Sequence, residues 1–332
     1  FVNGDKSVAG LEFYKALYDC CVPPGSSNSY MGEGVGLTIT LEAHKSPSGI
    51  TTNYEGSFAK LDLTNPANFG FGAKSGATNL TSRVSASSTA GTWSNGSASV
   101  TGIFGIARAA SPDGPFTAVQ FGIAPVDTDS IAMGTLDLDV DGNATNDHTA
   151  IGSTTEVRFG RLRLLPATGN AIIRLPVTIR TEYWSGSGFA LNPLDSCTTL
   201  RQGNIAMGTY ATSLTLNACE TRVDNGSGGA PPADPGQTIA FASGLGTMVL
   251  TAPGSGNNGS LVLIVKLNSS SGSYCRIVTA TDTSIAVTTA NKSYLQGAWN
   301  GIATYDQDPS ARFAFGVYGA QPNQLIFMRE NY

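Results

Sequence analysis

Side chains alternate in polarity at every second residue over long stretches of this 332-residue chain, and that rhythm restricts the fold more than any other feature. The clearest case is RFGRLRLLPATGNAIIRLPVTIRTEYWSGSGFALNPLDSC at residues 158–197. In its second half Ile173, Leu175, Val177, Ile179, Thr181 and Tyr183 share one face, and Arg174, Thr178, Arg180 and Glu182 share the other. A period of two puts alternate side chains on opposite faces of a strand. Residues 156–165 and 172–184 are therefore predicted to form a long hairpin around a Gly-containing turn. Pro176 has no amide proton, so its strand is expected at an edge or a bulge.

The same rhythm runs through the rest of the chain. In VGLTITLEAH, Leu37, Ile39, Leu41 and Ala43 point one way, and Thr38, Thr40, Glu42 and His44 the other. Short β runs follow, punctuated by NG, DG and PDGP turn signals. They predict an immunoglobulin-like sandwich over residues 31–135. Further runs such as QTIAFASG, GTMVLTAP, SLVLIVKL and ARFAFGVYG predict a second, larger sandwich over residues 151–332, interrupted by a flexible Gly/Pro loop at 225–236. The expected fold is all-β: tandem antiparallel sandwiches, with residues 136–150 as an acidic linker. A helix pattern stands out at residues 7–21, within an N-terminal segment 1–30, where Phe13, Leu17 and Cys21 fall four residues apart.

Composition limits function. Charged residues make up 13% of the chain and apolar ones 41%, enough for a core, with Gly, Ser, Thr and Asn filling the gap. Net charge is −5 without a basic stripe, which argues against nucleic acid as a partner. No run of about 18 apolar residues occurs, so no membrane span is expected. The start at Phe1, without Met or a basic-then-apolar leader, reads as a mature or excised piece of an exported protein. The five cysteines form no CxxC pair, and only two His are present, so zinc and c-type haem motifs are missing. Cys197 and Cys219 bracket a short polar segment and are the first choice for a disulfide. Cys275 is expected to pair with Cys20 or Cys21, and the odd count leaves one thiol over.

The sharpest chemical signal is DLDVDGNATNDH at residues 137–148. Asp137, Asp139 and Asp141 occupy positions 1, 3 and 5 of a calcium-loop pattern, with Gly142 at position 6. Asn143 offers a backbone carbonyl. His148 stands where an EF-hand has its bidentate Glu, so Asp147 or Asn146 would have to substitute. The expected ligand set is Asp137, Asp139, Asp141, Asn143 and Asp147, and the expected ion Ca2+. A metal-free acidic turn stays open as the alternative.

Trp184 and Trp299 are candidates for stacking on a sugar ring, with core packing as the other reading. Arg158, Arg161 and Arg163 form a basic strip, suited to an anionic glycan or to internal pairing with Glu156 and Glu182. Hydrolase chemistry has little support: there is no G-x-S-x-G elbow, and His44 falls on the polar face of its strand.

The 157–197 segment, NYEGSFAKL, LDLDVDGNATNDH and the terminal DPSARFAFGVYG…RENY together resemble the conserved C-terminal region of the MSHA biogenesis protein MshQ-like family. These are large bacterial surface proteins encoded with type IV pilus genes. The resemblance runs from about residue 35 to the end. It implies an extracellular protein associated with the envelope or with pili, and supplies no catalytic residues. The expected function is non-enzymatic: a structural or adhesive protein of a pilus or surface filament, able to self-assemble, whose partners are other copies, pilus proteins or surface glycans. The alternative is a carbohydrate-binding module, with a glycoside hydrolase a distant third.

Overall fold

A computed structural model describes residues 6–12, 28–44, 49–215, 218–224, 237–278 and 281–316. Cys20, Cys21, the 225–236 loop and the terminal RENY lie outside the described residues. The fold is nearly all β; among the described residues the helices are short 3-10 turns.

Two sheets build the first sandwich. One has the strand order Lys6–Glu12, Val35–Ala43, Ser97–Ile106, Val84–Ser94. The other runs Asn28–Tyr30, Thr149–Arg158, Phe116–Ile123, Gly72–Ser75, Thr78–Asn79. Ile39, Leu41 and Ala43 are buried while Thr38, Thr40 and Glu42 are half-buried, as the alternation requires. The two layers meet through Phe104 and Phe121, whose rings cross at 83° with centroids 4.7 Å apart. Asn95 and Gly96 both take positive φ, the conformation that a two-residue hairpin turn demands.

The second sandwich is assembled from non-contiguous pieces. Leu175–Trp184 pairs with Gly160–Leu164 on one flank and Leu245–Leu250 on the other, and Thr238–Ala242 and Thr199–Arg201 extend that sheet. The facing sheet has the order Ala167–Gly169, Ser310–Phe315, Gly259–Val265, Ile205–Thr212. Leu261, Leu263, Val265 and Phe313 from that layer meet Leu162, Val177, Ile179 and Leu250 from this one in a common core. Burying each such side chain contributes roughly 1.5–3 kcal/mol. The Gly160–Leu164 register reaches only to Ile179, so among the described residues no strand pairs with that flank at Pro176. That is the local edge its missing amide proton requires.

Several expectations need correction. Lys6–Glu12 is a strand antiparallel to Val35–Ala43, not the start of a helix. Gly10, a poor helix former, falls where the register shifts between Val8 and Leu11. The remainder of the expected helix lies outside the described residues. Ile173 is exposed, because Asn170 holds Ile172 and Ile173 in a turn and the strand begins only at Leu175. The run 156–165 is two strands, one in each sandwich, divided at Phe159. The acidic segment is no linker: it connects Phe116–Ile123 to Thr149–Arg158, which are paired neighbours in the first sandwich.

The disulfide joins Cys219 to Cys275, with Cα atoms 5.6 Å apart, so neither the Cys197–Cys219 bridge nor a bond from Cys275 to Cys20 or Cys21 forms. Between residues 197 and 219 the chain passes through Thr199–Arg201 in one sheet and Ile205–Thr212 in the other. That crossing separates two cysteines that are close in sequence.

The sandwiches meet at a polar joint. Tyr30 lies on a first-sandwich strand, yet its ring enters the second core, while the adjacent Met31 enters the first. Its hydroxyl donates to Asp195 at 2.8 Å and accepts from Asn192 Nδ2 at 2.6 Å. Gly160 marks the crossing: a Cβ there would come within 2.3 Å of the Tyr30 ring. Arg108 reaches across from the first sandwich to the carbonyls of Gly160, Ser293, Gln296 and Tyr305 at 3.0–3.3 Å, with its guanidinium 4.1 Å from the centre of the Phe159 ring. Burial pushes this guanidinium down to about 10.

Candidate cation loop and arginine–aromatic seam

The acidic loop is closed at its neck. Leu138 and His148 form an isolated antiparallel bridge, and Leu138 and Val140 bury their side chains beneath it. Above the neck the carboxylates turn toward the backbone. Asp139 accepts from the N–H groups of Gly142 at 2.7 Å and Ala144 at 3.0 Å. Asp141 accepts from the Asn143 N–H at 3.1 Å and its Nδ2 at 2.9 Å. Asp147 accepts from the Val140 N–H at 2.9 Å and contacts His148 Nδ1 at 2.8 Å. Lys74 donates to the Asp139 carbonyl.

Carboxylate oxygens of Asp139, Asp141 and Asp147 all lie within 4.8 Å of one another. Desolvation tends to raise the Asp139 carboxyl, but the Gly142 and Ala144 amides and the Lys74 charge outweigh it and hold the group below the usual range. Asp147 is lowered in the same way, with desolvation outweighed by His148 and the Val140 amide. With Asp141 they offer three hard oxygen donors, the chemistry that suits Ca2+ or Mg2+. One expected ligand is elsewhere, and the Asn143 side chain is not free to join the cluster. Asp137 accepts from the Ala150 N–H at 2.7 Å, outside the cluster. The Asn143 side chain is engaged within the loop, accepting from Thr145 and donating to Asp141.

The basic strip is largely paired internally. Arg161 stands directly opposite Glu182 and contacts it at 2.6 Å, and Arg180 Nε approaches the same carboxylate to 2.7 Å. The Arg180 contact lacks hydrogen-bond alignment, so it is ionic. Arg163 is the third and loosest partner at 3.5 Å. Glu182 itself is only 1% exposed, so one buried carboxylate serves three arginines. Burial pulls the Arg161 guanidinium down, against the opposing pull of Glu182. Arg158 pairs with Glu156 at 2.7 Å and lies over the Tyr183 ring.

The two tryptophans have different places in this seam. Arg161 sits between Phe189, 3.8 Å from its ring centre, and Trp299, at 4.7 Å. Trp184 meets Phe189 edge-on at 5.4 Å, and both pack against the first core. Trp184 therefore packs at the joint. Trp299 borders a groove of about 240 Å3 whose lining includes Arg163, Arg312, Pro166 and Pro309. Sequence reading missed Arg312, Arg108 and the burial of Glu182. Arg312 had a local signal, a lone Arg at an outward position of ARFAF. The other two owe their environment to distant segments.

These features define a two-sandwich β protein with a candidate hard-cation loop and an arginine–aromatic groove. Its third-domain model (DUF6701, third domain) matches residues 14–153 and its fourth-domain model (DUF6701, fourth domain) matches residues 158–331, so the chain belongs to the DUF6701 family. The match gives the DUF6701 family and not the MshQ-like proteins in particular. No curated protein matches the chain. Among solved structures, it is similar to the adhesin InvE of Yersinia pseudotuberculosis, at 13% identity and a TM-score of 0.21. That alignment covers 80% of this chain and 57% of the other, so the chain spans little more than half of InvE's length.

Proposed function

We propose that the chain is a non-enzymatic structural or adhesive segment of an extracellular bacterial surface protein, associated with a pilus or filament, and that its acidic loop holds Ca2+. The observation that carries this reading is the Cys219–Cys275 disulfide, buried in the core of the second sandwich. Such cross-links form and persist in oxidising compartments and are rare in a reducing cytosol. The β-rich architecture and the clamped joint suit a rigid spacer. Among the described residues no helix is long and apolar enough to cross a membrane. The likeness to MshQ-like proteins supports pilus components or further copies of the chain as partners. Three convergent carboxylates support Ca2+. The groove beside Trp299 favours the second reading, a carbohydrate-binding module.

The test is made on intact cells producing the native protein. External protease and a membrane-impermeant amine label should reach it, and immunogold electron microscopy should place it on the surface or along filaments. An unlabelled protein retained in the cytoplasm, with Cys219 and Cys275 reduced, overturns the reading.

A further inference from the structure

We infer that the groove beside Trp299 binds a carboxylate-bearing saccharide, with the sugar ring against the indole and the carboxylate taken by Arg163 and Arg312. The inference rests on the attachment reading and gives it a ligand class.

The groove exists because the two sheets of the second sandwich part at one edge. Among the described residues Gly160–Leu164 is the last strand of its sheet. Across from it, Ala167–Gly169 covers Ser310–Phe315 only from Phe313 onward. The Pro309–Arg312 stretch is left without that neighbour, and the gap is about 240 Å3. Pockets for drug-sized ligands run from about 300 to 1,000 Å3. This one therefore suits a single ring of a longer chain. Pro166 and Pro309 line it, and neither has an N–H to give to an added strand. That disfavours an extended peptide and leaves side-chain recognition as the mode of binding.

Charge selects the ligand. The two closer arginines, Arg161 and Arg180, take up both oxygens of Glu182. Arg163, at 3.5 Å and 42% exposed, is surplus positive charge. Arg312 is exposed, and its bond to Ser260 Oγ at 2.8 Å uses one of its five donors. Among the described residues no Asp or Glu lines the groove, although the whole chain carries a charge of −5. Two guanidinium forks presenting this excess fit a carboxylate.

The aromatic partner is fixed in advance. Gly297 lets the Trp299 indole lie directly on the backbone, where a Cβ would come within 2.7 Å of the ring. The N–H groups of Trp299 and Asn300 both donate to Gln307 Oε1, at 2.7 and 2.8 Å, which fixes the loop carrying the indole. Little ordering is left for binding to impose.

Calorimetric titration of the purified chain tests this, with trigalacturonic acid and 3′-sialyllactose as acidic probes, maltotriose as the neutral one and triglutamate as the acidic peptide. At least one acidic sugar should bind, maltotriose should not, and added salt should weaken the binding. Arg312→Ala and Arg163→Ala should each weaken it about tenfold or more, since a charge-assisted bond is lost. Arg312→Glu should abolish it, with an unchanged melting temperature showing that the fold is intact. The proposal fails if neither acidic sugar binds, if binding survives both arginine substitutions, or if triglutamate binds as tightly as the sugars. A chain that stays on the cell surface yet binds no probe sinks this inference alone; a cytoplasmic chain that does bind sinks the attachment reading alone.

Discussion

The two charge clusters of this protein are built in opposite ways. In the acidic loop three carboxylates converge, and backbone N–H groups hold them from behind. In the seam one buried carboxylate is ringed by three arginines held by strand register and aromatic stacking. Amide donors fix the carboxylates in position without neutralising them, so the loop keeps a charge excess that an added cation would balance. The seam offsets only part of its charge internally, one carboxylate against three arginines, and shows part of the remainder at the groove. The loop should therefore respond to its surroundings, whereas the seam should stabilise the fold under all conditions.

Removing the central carboxylate is the severest way to break that contrast. Glu182→Ala leaves three half-buried arginines without their counter-charge, and with solvent screening part of that charge the loss costs about 3 kcal/mol. Denaturant unfolding should show a fall of that size, equal with and without Ca2+. A loss below about 1 kcal/mol would mean that the seam is solvated and weakly coupled.

The loop should behave in the opposite sense. Ca2+ at a hundredfold excess over its dissociation constant should stabilise the native chain by about 2.7 kcal/mol. Melting scans in Ca2+ and in EDTA measure this directly. Asp139→Asn, Asp141→Asn and Asp147→Asn should each remove most of the shift. Asp137→Asn should keep it, because Asp137 is bonded to Ala150 outside the cluster. Equal melting temperatures in both buffers would leave an ordinary acidic turn.

Arg108 combines features of both regions. Like Arg161 it is half-buried and stacked on an aromatic ring, yet its partners are carbonyls. Lys cannot reproduce a planar fork shared among four carbonyls. Arg108→Lys should cost about 1–3 kcal/mol. The loss should fall on the joint, and calorimetry should show the single unfolding transition of the native chain broadening or splitting in two. A single sharp transition at the original temperature would show that the joint does not depend on the clamp.

What could be read from the sequence was what depends on near neighbours. The alternation of Leu175, Val177, Ile179 and Thr181 is a local property of a strand buried on one face, and those four side chains are buried. Three of the five expected loop ligands converge, because a tight turn brings them together whatever the rest of the chain does. Failures came where distant segments decide. Glu182 sits at a polar-face position, and its burial depends on arginines and a covering strand that alternation cannot reveal. Cys219 finds Cys275 at a sequence separation of 56, passing over the nearer Cys197. Lys6–Glu12 becomes a strand because Val35–Ala43 offers it a ladder. Trp184 and Trp299 look alike in sequence; the joint between the sandwiches is what separates their roles.

The smallest expected effect concerns pH and sits at the joint. Glu33 is buried, accepts bonds from the Tyr30 N–H at 3.0 Å and the Ser29 hydroxyl at 3.2 Å, and leaves Oε1 without a hydrogen-bond partner. Desolvation pushes its carboxyl up, against the Tyr30 and Ser29 bonds and the Lys292 charge, with Asp195 adding to the rise. A carboxyl raised in the folded state favours folding when protonated. Its contribution is complete below the ordinary value of 4.5 and is lost as pH climbs from there through the raised folded value. The loop carboxylates, lowered in the fold, have the reverse sign: their contribution is present above the ordinary 3.8 and disappears as pH falls below it. Glu33→Gln removes the first of these slopes and leaves the second. Unfolding free energies measured from pH 4 to 8 should therefore decline less steeply with rising pH in the variant than in the native chain. Parallel curves would mean that Glu33 reaches solvent, and the joint would then be wetter than the buried Tyr30–Asp195 pair indicates.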